Sequence, residues 1–254
     1  MRVDSFQVTL DDVIPPTVRA SGELDQDSCA AFESILSAAL EKSEDRVDLA
    51  LKDVTFVDSS GLSVLINVAL RGRRTGRRLN IISMTAHLDH MLTLSGFEHL
   101  FHIPAIEQKP SAPVQMPATI LGPCLFVVPR DKGACRIARD QVYEFARNMG
   151  FDQMALDDIR LAIGEAMSNA VRHGAECGKT IEVQCEQKAE RLVVKLRYHS
   201  AEFDPQAVPT PTYTTAAEGG MGIHFMRLVM DEVHYEFMEG RTELTLEKRL
   251  PHGV

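Results

Sequence analysis

The sequence predicts an α/β protein of two small domains, and three observations lead to this prediction. Its length of 254 residues suits two small domains better than one, and 44% of the residues are hydrophobic, which is enough to form two cores. Strand-like and helix-like segments alternate in the first half, which is typical of a mostly parallel or mixed sheet with helices packed on it. In the second half, two long helical patterns precede paired strands, which is typical of an α/β sandwich.

The first half, residues 1–104, is predicted to form one domain. Its strands and helices alternate, and the last helix is predicted to stop at Gly96 because glycine readily ends a helix. In chain order, the predicted elements are a strand from Thr17 to Ala20, a helix from Gln26 to Lys42, a strand from Asp48 to Leu51, a helix from Ser60 to Arg74, a strand from Leu79 to Ser83 and a helix from Thr85 to Ser95.

A proline-rich stretch separates the two halves. Four of the twelve prolines lie from Pro104 to Pro117, and proline fixes φ and lacks a backbone donor. Residues 105–118 are therefore predicted to be a semi-extended linker, followed by a second domain over residues 119–254. The predicted elements of that domain are a strand near residues 125–128, helices at 132–149 and 153–173, a hairpin of 180–187 and 191–197, a helix at 223–230 and a hairpin of 234–238 and 242–248.

Charge and hydropathy exclude several classes of function. The net charge of −9 disfavours nucleic acid as a direct partner, because phosphate binding needs a basic surface. No apolar run approaches the roughly 18–20 residues that cross a bilayer. The first residues lack the basic-then-apolar pattern of a signal peptide. We therefore expect a cytoplasmic protein that does not associate with a membrane.

The cysteines indicate neither a metal site nor a disulfide framework. They are odd in number and scattered, and no two of them form a C-x-x-C pair. We expect them to be small buried thiols in a reducing compartment. The five are Cys29, Cys124, Cys135, Cys177 and Cys185.

A hydroxyl-rich turn stands out in the first domain. In the segment FVDSSGL, a strand is predicted to end at Asp58 and a helix to begin after Ser59. Hydroxyl groups at a helix N-terminus can carry a phosphate, because the free backbone N–H groups and the helix dipole favour an anion there. The alternative is that Asp58, Ser59 and Ser60 are ordinary capping residues, and the local sequence alone favours this alternative.

The whole first domain resembles the STAS family of anti-sigma-factor antagonists. The resemblance rests on VTFVDSSGLSVL, the upstream GELDQDSCAAFE and the downstream LNIISMTAHLDHMLTLSGFEHLF, and it covers about residues 5–104. In that family the hydroxyl residue directly after the aspartate is the phosphorylation site. The resemblance therefore implies a STAS-like mixed sheet with helices, and it implies Ser59 as the phosphorylated residue.

Three polar residues follow one edge of a predicted helix in the second domain. In IRLAIGEAMSNAVRHG, Glu165, Asn169 and His173 are four residues apart and line one edge, while the apolar residues form a core-facing stripe. A carboxylate, an amide and an imidazole on that edge could serve as general base, Mg²⁺ ligand and polar support. A solvated helix face is the alternative, and for three polar residues in isolation it is the favoured one.

A glycine-rich segment precedes the next predicted helix. The glycines of EGGMGI, residues 218–223, would let backbone N–H groups approach a phosphate closely. Together with EAMSNAVRHG and the terminal GRTELTLEKRL, this segment makes residues 119–250 resemble the GHKL ATPases, in particular the serine-kinase branch that inhibits sigma factors. The resemblance implies a Bergerat-type α/β sandwich that binds ATP and Mg²⁺. It assigns Glu165 as general base, Asn169 as Mg²⁺ ligand, His173 as a supporting residue, and Gly219, Gly220 and Gly222 as phosphate contacts.

One part of the family's pattern is altered. The first glycine box, D-x-G-x-G before Phe-Asp-Pro, reads YHSAE in this chain. Tyr198 replaces the aspartate that holds adenine, and Ser200 and Glu202 replace the glycines. A tyrosine cannot act as a carboxylate acceptor, and the charge of Glu202 disfavours phosphates. Losing a charge-assisted hydrogen bond costs about 1.5–3 kcal/mol, so the sequence predicts weak ATP binding.

Two hypotheses of function follow from these patterns. The first is a partner-switching regulator of sigma-factor-dependent transcription, in which an anti-sigma-type serine kinase domain, using Mg·ATP, is fused to an antagonist-like domain. The alternative is a non-catalytic scaffold that binds its partners without phosphoryl transfer. In both, the expected partners are proteins: a sigma factor, a separate antagonist or a separate kinase. A homodimer is compatible with both, because kinases of this branch are commonly dimers.

Overall fold

The computed structural model describes residues 6–103, 121–131, 133–174, 178–201, 205 and 221–250. These residues fall into two compact units, one within 6–103 and the other within 121–250. In the described ranges, no helix is both long enough and apolar enough to span a membrane.

Residues 6–103 form a mixed four-stranded sheet with helices packed on it. The elements are β1 Gln7–Asp11, β2 Thr17–Leu24, α1 Cys29–Lys42, β3 Arg46–Val57, α2 Ser59–Arg74, β4 Arg78–Met84 and α3 Ala86–Ser95, followed by a 3-10 turn at Glu98–Leu100. The strand order is β1-β2-β3-β4, with β1 antiparallel to β2 and the other neighbours parallel. The predicted mixed α/β class of this unit is confirmed.

Three details of the first unit differ from the prediction. The sequence analysis does not predict β1, an edge strand whose side chains are half-buried or exposed. The helix predicted from Gln26 is wrong in its first three residues: α1 begins at Cys29, because residues 25–28 form a turn in which the Asp25 N–H donates to Ser28 Oγ, 2.8 Å away. β3 is longer than predicted, because it pairs along its length with β2 and β4.

The start of α2 lies against the end of β2. The Asp58 N–H donates to the Leu24 carbonyl oxygen over 3.1 Å. A Cβ atom at Gly61 would lie 2.6 Å from the same oxygen, so only glycine permits this approach. Below it, Phe32 of α1 and Leu65 of α2 are fully buried and pack in the core. The turn that carries the candidate serine is therefore fixed by the core.

The described residues of the second unit form an antiparallel five-stranded sheet with helices. The elements are β5 Cys124–Pro129, α4 Ala134–Met149, α5 Gln153–His173, β6 Thr180–Lys188, β7 Arg191–His199, α6 Met221–Val229, β8 Glu232–Met238 and β9 Arg241–Arg249. The strand order is β5-β6-β7-β9-β8, and every neighbouring pair is antiparallel. The predicted α/β sandwich is confirmed, although α6 begins two residues earlier than predicted.

The long helix α5 is the central helix of this unit and packs against both α4 and α6. Its first turn is capped by Asp152, whose Oδ1 accepts a hydrogen bond of 2.8 Å from the Ala155 N–H. The apolar stripe predicted from the sequence is fully buried. Its members are Ile159, Ala162, Ile163, Ala166 and Ala170.

A buried ion pair joins α5 and α6 to the sheet. The ammonium group of Lys248 on β9 lies 2.9 Å from Asp158 Oδ2 on α5 and also donates to the Val229 carbonyl oxygen at the end of α6. The two charged side chains are only 18% and 12% exposed. Removing the ammonium group would take away the positive charge that lies 2.9 Å from this carboxylate, which is costly in a low-dielectric interior.

We predict that Lys248→Met lowers the free energy of unfolding by about 3 kcal/mol, the range expected when one partner of a buried ion pair is lost. Chemical denaturation of the full chain, followed by circular dichroism, measures this change. The matched control is Lys188→Met, because Lys188 is 56% exposed and its pair with Glu186 spans 3.5 Å. The control should change stability by less than about 0.5 kcal/mol, and equal effects of the two substitutions would contradict the structural role of Lys248.

Candidate functional site

The capping residue of α2 is Asp58. Its Oδ1 accepts hydrogen bonds of 2.9 Å from the N–H groups of Ser60 and Gly61, and its Oδ2 accepts one of 3.3 Å from the Gln26 N–H. The capping interpretation is therefore confirmed for Asp58. Ser59 is the first residue of the helix and is half-buried. Phosphorylation of Ser59 stays a prediction.

The predicted polar edge of α5 passes from the interior to the surface. Glu165 is only 4% exposed, Asn169 is half-buried, and His173 is exposed in the last turn. The solvated-face alternative is therefore wrong for Glu165, which lies in the interior, whereas it describes His173 correctly. The side-chain nitrogen of Asn169 is buried, and its polar neighbour is the phenol of Tyr235 on β8.

The first turn of α6 lies directly against Glu165. A Cβ atom placed on Gly222 would be 2.4 Å from Glu165 Oε2, a distance that real Cβ atoms essentially never show. A larger residue at position 222 would require the Glu165 carboxylate to shift, so the glycine lets the carboxylate keep its place beside α6. Two of the residues predicted to contact phosphate, Gly219 and Gly220, lie outside the described residues.

The structure adds Tyr235 of β8 to this group, a residue that the sequence analysis did not select. Burial raises the pKa of the phenol, with smaller contributions from Tyr198 and, least of all, from the Glu165 carboxylate, while a hydrogen bond with the Asn169 side chain opposes the shift. The phenol is therefore neutral at ordinary pH and lies close to both residues. Alternation along β8 predicts that Tyr235 faces inward, but only the fold shows that this face of the strand lies against α5.

The altered glycine box begins at the buried end of β7. Tyr198 is 4% exposed, and burial raises the pKa of its phenol to about 12. Ser200 is equally buried, and its hydroxyl shares a 2.5 Å hydrogen bond with the Thr242 hydroxyl of β9. The neutral phenol of Tyr198 thus stands where the family has a carboxylate. The Ser200 hydroxyl, which is hydrogen-bonded to Thr242, stands where the family has a glycine. Glu202 lies outside the described residues.

The neighbouring carboxylate of Glu243 does not replace the missing aspartate. It follows Thr242 in β9 and therefore faces the opposite side of the sheet. There it accepts hydrogen bonds of 2.6 Å from Lys195 and 2.5 Å from Arg197. Burial alone raises the pKa of Glu243, but these two hydrogen bonds together outweigh burial and lower it. Glu243 is therefore committed to ion pairs on the outer face.

Comparison with known proteins gives matches for both units. Residues 128–248 match the family described as histidine kinase-like ATPase domain, and residues 10–104 match the family described as Mlab, STAS domain. The serine-protein kinase RsbW of Bacillus subtilis is 31% identical over 108 residues, covering 38% of this chain and 67% of that protein. RsbW of Bacillus pumilus is 32% identical over 110 residues, with the same two shares.

Among solved structures, the RsbU and RsbW domains of a Mycobacterium tuberculosis protein are similar to this chain at 23% identity. The match has a TM-score of 0.38 and covers 51% of this chain and 32% of that chain. Both units match a family, and the chain covers about two thirds of relatives that are more than 30% identical to it. These findings agree with the resemblance seen in the sequence. The chain therefore belongs to the histidine kinase-like ATPase family and carries a STAS domain ahead of its ATPase domain.

Proposed function

We propose that this chain is a partner-switching regulator of sigma-factor-dependent transcription, and that its ATPase domain transfers phosphate from Mg·ATP to a serine of a STAS domain on another chain. Relatives named serine-protein kinases support the reaction class. The matched STAS domain supports a protein substrate of the same kind. The observation that carries the proposal is the burial of Glu165 against the first turn of α6, with Asn169 one helical turn further along α5.

Two features of the site fit a bound Mg·ATP. The Asn169 amide is half-buried one helical turn beyond Glu165, and Gly222 lets the first turn of α6 lie against the Glu165 carboxylate. The amide oxygen is the kind of hard ligand that Mg²⁺ accepts. The described residues contain no group of three His, Cys, Asp or Glu side chains that could hold a metal. The other ligands of the ion would therefore be phosphate oxygens and water.

Each residue of this group has a separate role in the proposed reaction. Bound Mg·ATP supplies the transferable phosphoryl group. Glu165 accepts the proton that the attacking serine hydroxyl loses, as a general base must. The backbone N–H groups in the first turn of α6 favour the negative charge of a phosphate, because helix N-termini attract anions. Tyr235, held neutral by burial, is a positioning residue for the Glu165 and Asn169 side chains.

The phosphate on the STAS domain would act through its charge. Ser59 is the proposed acceptor, and the adjacent Asp58 already occupies the N–H groups of Ser60 and Gly61. A phosphate there adds a charge of about −1.5 to −2 beside an existing carboxylate instead of replacing it. The result would be strong local repulsion of an acidic partner. Partner exchange is the expected consequence.

A scaffold without phosphoryl transfer is the second candidate. The observation that favours it is the replacement of the adenine end of the site by the buried Tyr198 phenol and by the hydrogen-bonded pair of Ser200 and Thr242. Those groups reduce base recognition, whereas the residues proposed for proton transfer and Mg²⁺ lie on α5. The candidates therefore differ in one measurable property, the appearance of phosphate on a serine.

The proposed transfer between chains is tested by mixing two full-length variants with Mg·ATP. Ser59→Ala keeps the proposed base but lacks the acceptor, whereas Glu165→Gln keeps the acceptor but lacks the base. We expect the Glu165→Gln chain to gain one phosphate in the mixture and none when incubated alone. Intact-mass spectrometry distinguishes the two chains by their different masses.

The control for the acceptor is a Glu165→Gln chain that also carries Ser60→Ala, which should gain phosphate as well. Phosphate on Ser60 in place of Ser59 would show that the acceptor is misassigned. Unchanged masses in every mixture would favour the scaffold.

The close approach of α6 to Glu165 gives a second prediction. Gly222→Ala should reduce phosphoryl transfer by about a hundredfold or more, the usual loss when a general base is displaced, because the added methyl group collides with the carboxylate. Gly122→Ala is the matched control, since a Cβ atom there meets nothing within 4 Å. The measurement is the rate of phosphate gain in the mixing experiment. Equal rates for the two alanine variants would remove Glu165 and Gly222 from the proposed site.

The altered glycine box predicts weak nucleotide binding with little preference for the base. Titration calorimetry should give similar, weak affinities for Mg·ATP and Mg·GTP, because neither Tyr198 nor Ser200 supplies a carboxylate acceptor for the adenine amino group. The double substitution Tyr198→Asp and Ser200→Gly should raise the affinity for ATP about ten- to a hundredfold. The affinity for GTP serves as the internal control and should change far less. Tight binding of ATP over GTP by the parent chain would contradict the prediction.

A further inference from the structure

Two cysteines face each other across the strands β5 and β6. Cys124 is the first residue of β5, and its directly opposite partner in the antiparallel register is Cys185 of β6. Cys185 has no exposed surface, whereas Cys124 is half-buried at the edge of the sheet. The two lie on the inner face of the sheet, in line with Phe126 and Val183.

The ladder geometry brings the two cysteine backbones within bridging distance. Beyond the end of β5, the Arg130 N–H donates to the carbonyl oxygen of the opposite residue, Lys179, over 2.9 Å. Hydrogen-bonded pairs recur at every second residue of an antiparallel ladder, so Cys124 and Cys185 form a pair of the same type. The Cα atoms of such a pair are about 5.5 Å apart, within the range of about 4.4–6.8 Å that disulfides span.

The environments of the two thiols differ. Burial, with a smaller contribution from Cys124, raises the pKa of the Cys185 thiol to about 12. The contribution from Cys124 is electrostatic, so the two sulfur atoms are close enough to interact. Cys185 therefore remains a protonated thiol at ordinary pH, and Cys124, at the sheet edge, is the one that an oxidant can reach.

We propose that Cys124 and Cys185 are an oxidation site that forms a reversible cross-strand disulfide in the presence of a hydroperoxide. The Cys124 thiolate attacks one peroxide oxygen, the O–O bond breaks, and a sulfenic acid forms as the other oxygen leaves and is protonated to water. The Cys185 sulfur then attacks the sulfenic sulfur, its proton leaves with the hydroxyl group as a second water, and the S–S bond forms. Two thiols and one hydrogen peroxide thus give one disulfide and two waters.

The same geometry makes the proposed bridge easy to reduce. Cβ atoms of directly opposite residues lie about 4.5–5.5 Å apart, and a disulfide needs about 3.5–4.5 Å. The bond therefore forms only if the strand end moves inward, and the resulting strain favours reduction. Since Cys124 begins an edge strand, that movement is confined to one end of the sheet. The pair is suited to a switch and not to a permanent crosslink.

The test treats the full chain with hydrogen peroxide and maps its cysteines without reduction. Trypsin places each of the five cysteines in a different peptide, because lysine or arginine residues separate them all. We expect the chain to lose the mass of two hydrogen atoms and to yield one linked peptide pair that contains Cys124 and Cys185. Dithiothreitol should restore the original mass. The oxidised chain should also unfold at a temperature several degrees higher, since the bridge closes the loop over residues 125–184.

Single substitutions separate this pair from the other thiols. Cys124→Ser and, independently, Cys185→Ala should abolish the loss of two hydrogen atoms, whereas Cys29→Ser should leave it unchanged. Using both substitutions of the pair keeps the test valid if the buried Cys185→Ala variant fails to fold. A linked peptide that joins Cys124 to another cysteine, or oxidation of Cys124 to a sulfinic acid without any crosslink, would overturn the proposal.

Discussion

The ion pair between Lys248 and Asp158 joins the two helices of the second unit's candidate site to the sheet. One ammonium group holds the carboxylate near the start of α5 and the last carbonyl of α6, so both helices are fixed to the same strand. Glu165 and Asn169 lie on α5, and Gly222 lies on α6. Because protein interiors are close-packed, a shift of one helix is transmitted to its neighbour. The ion pair therefore helps to fix the two helices that carry the proposed site.

The two ends of the proposed nucleotide site differ in how well they match the family's pattern. The residues proposed for proton transfer and phosphate binding are a buried carboxylate, a half-buried amide and a glycine that lies against the carboxylate. The end proposed to bind the adenine base instead carries the hydrogen-bonded hydroxyl groups of Ser200 and Thr242 and the neutral phenol of Tyr198. Phosphates carry most of the charge of a nucleotide, so a site of this kind can retain the phosphate end while losing preference for the base.

The parts of the fold with local causes could be predicted from the sequence. The period of apolar residues in α5 predicted both its extent and its buried face, and Gly96 predicted the end of α3, where it adopts a left-handed conformation. β1 was missed because its stability comes from pairing with β2, a contact that no short pattern reports. The burial of Glu165 was also missed, since a polar residue at helical spacing looks the same whether or not another helix covers it.

The position of Tyr235 required the fold for a related reason. Alternation in a strand gives two faces, and the sheet order alone decides which helix covers each face. β8 follows α6 in the chain but lies at the sheet edge beyond β9, so its inward face reaches the polar edge of α5. Cys124 and Cys185 illustrate the same limit: their spacing along the chain is uninformative, and only the register of β5 and β6 brings them together.

The contact between Gly222 and Glu165 has a consequence for how such chains can change over generations. With glutamate at 165, a larger residue at 222 would have to push the carboxylate aside, whereas a shorter residue at 165 would remove this conflict. Substitutions at the two positions are therefore expected to be coupled, because a side chain at 222 is accommodated more easily once residue 165 is shorter.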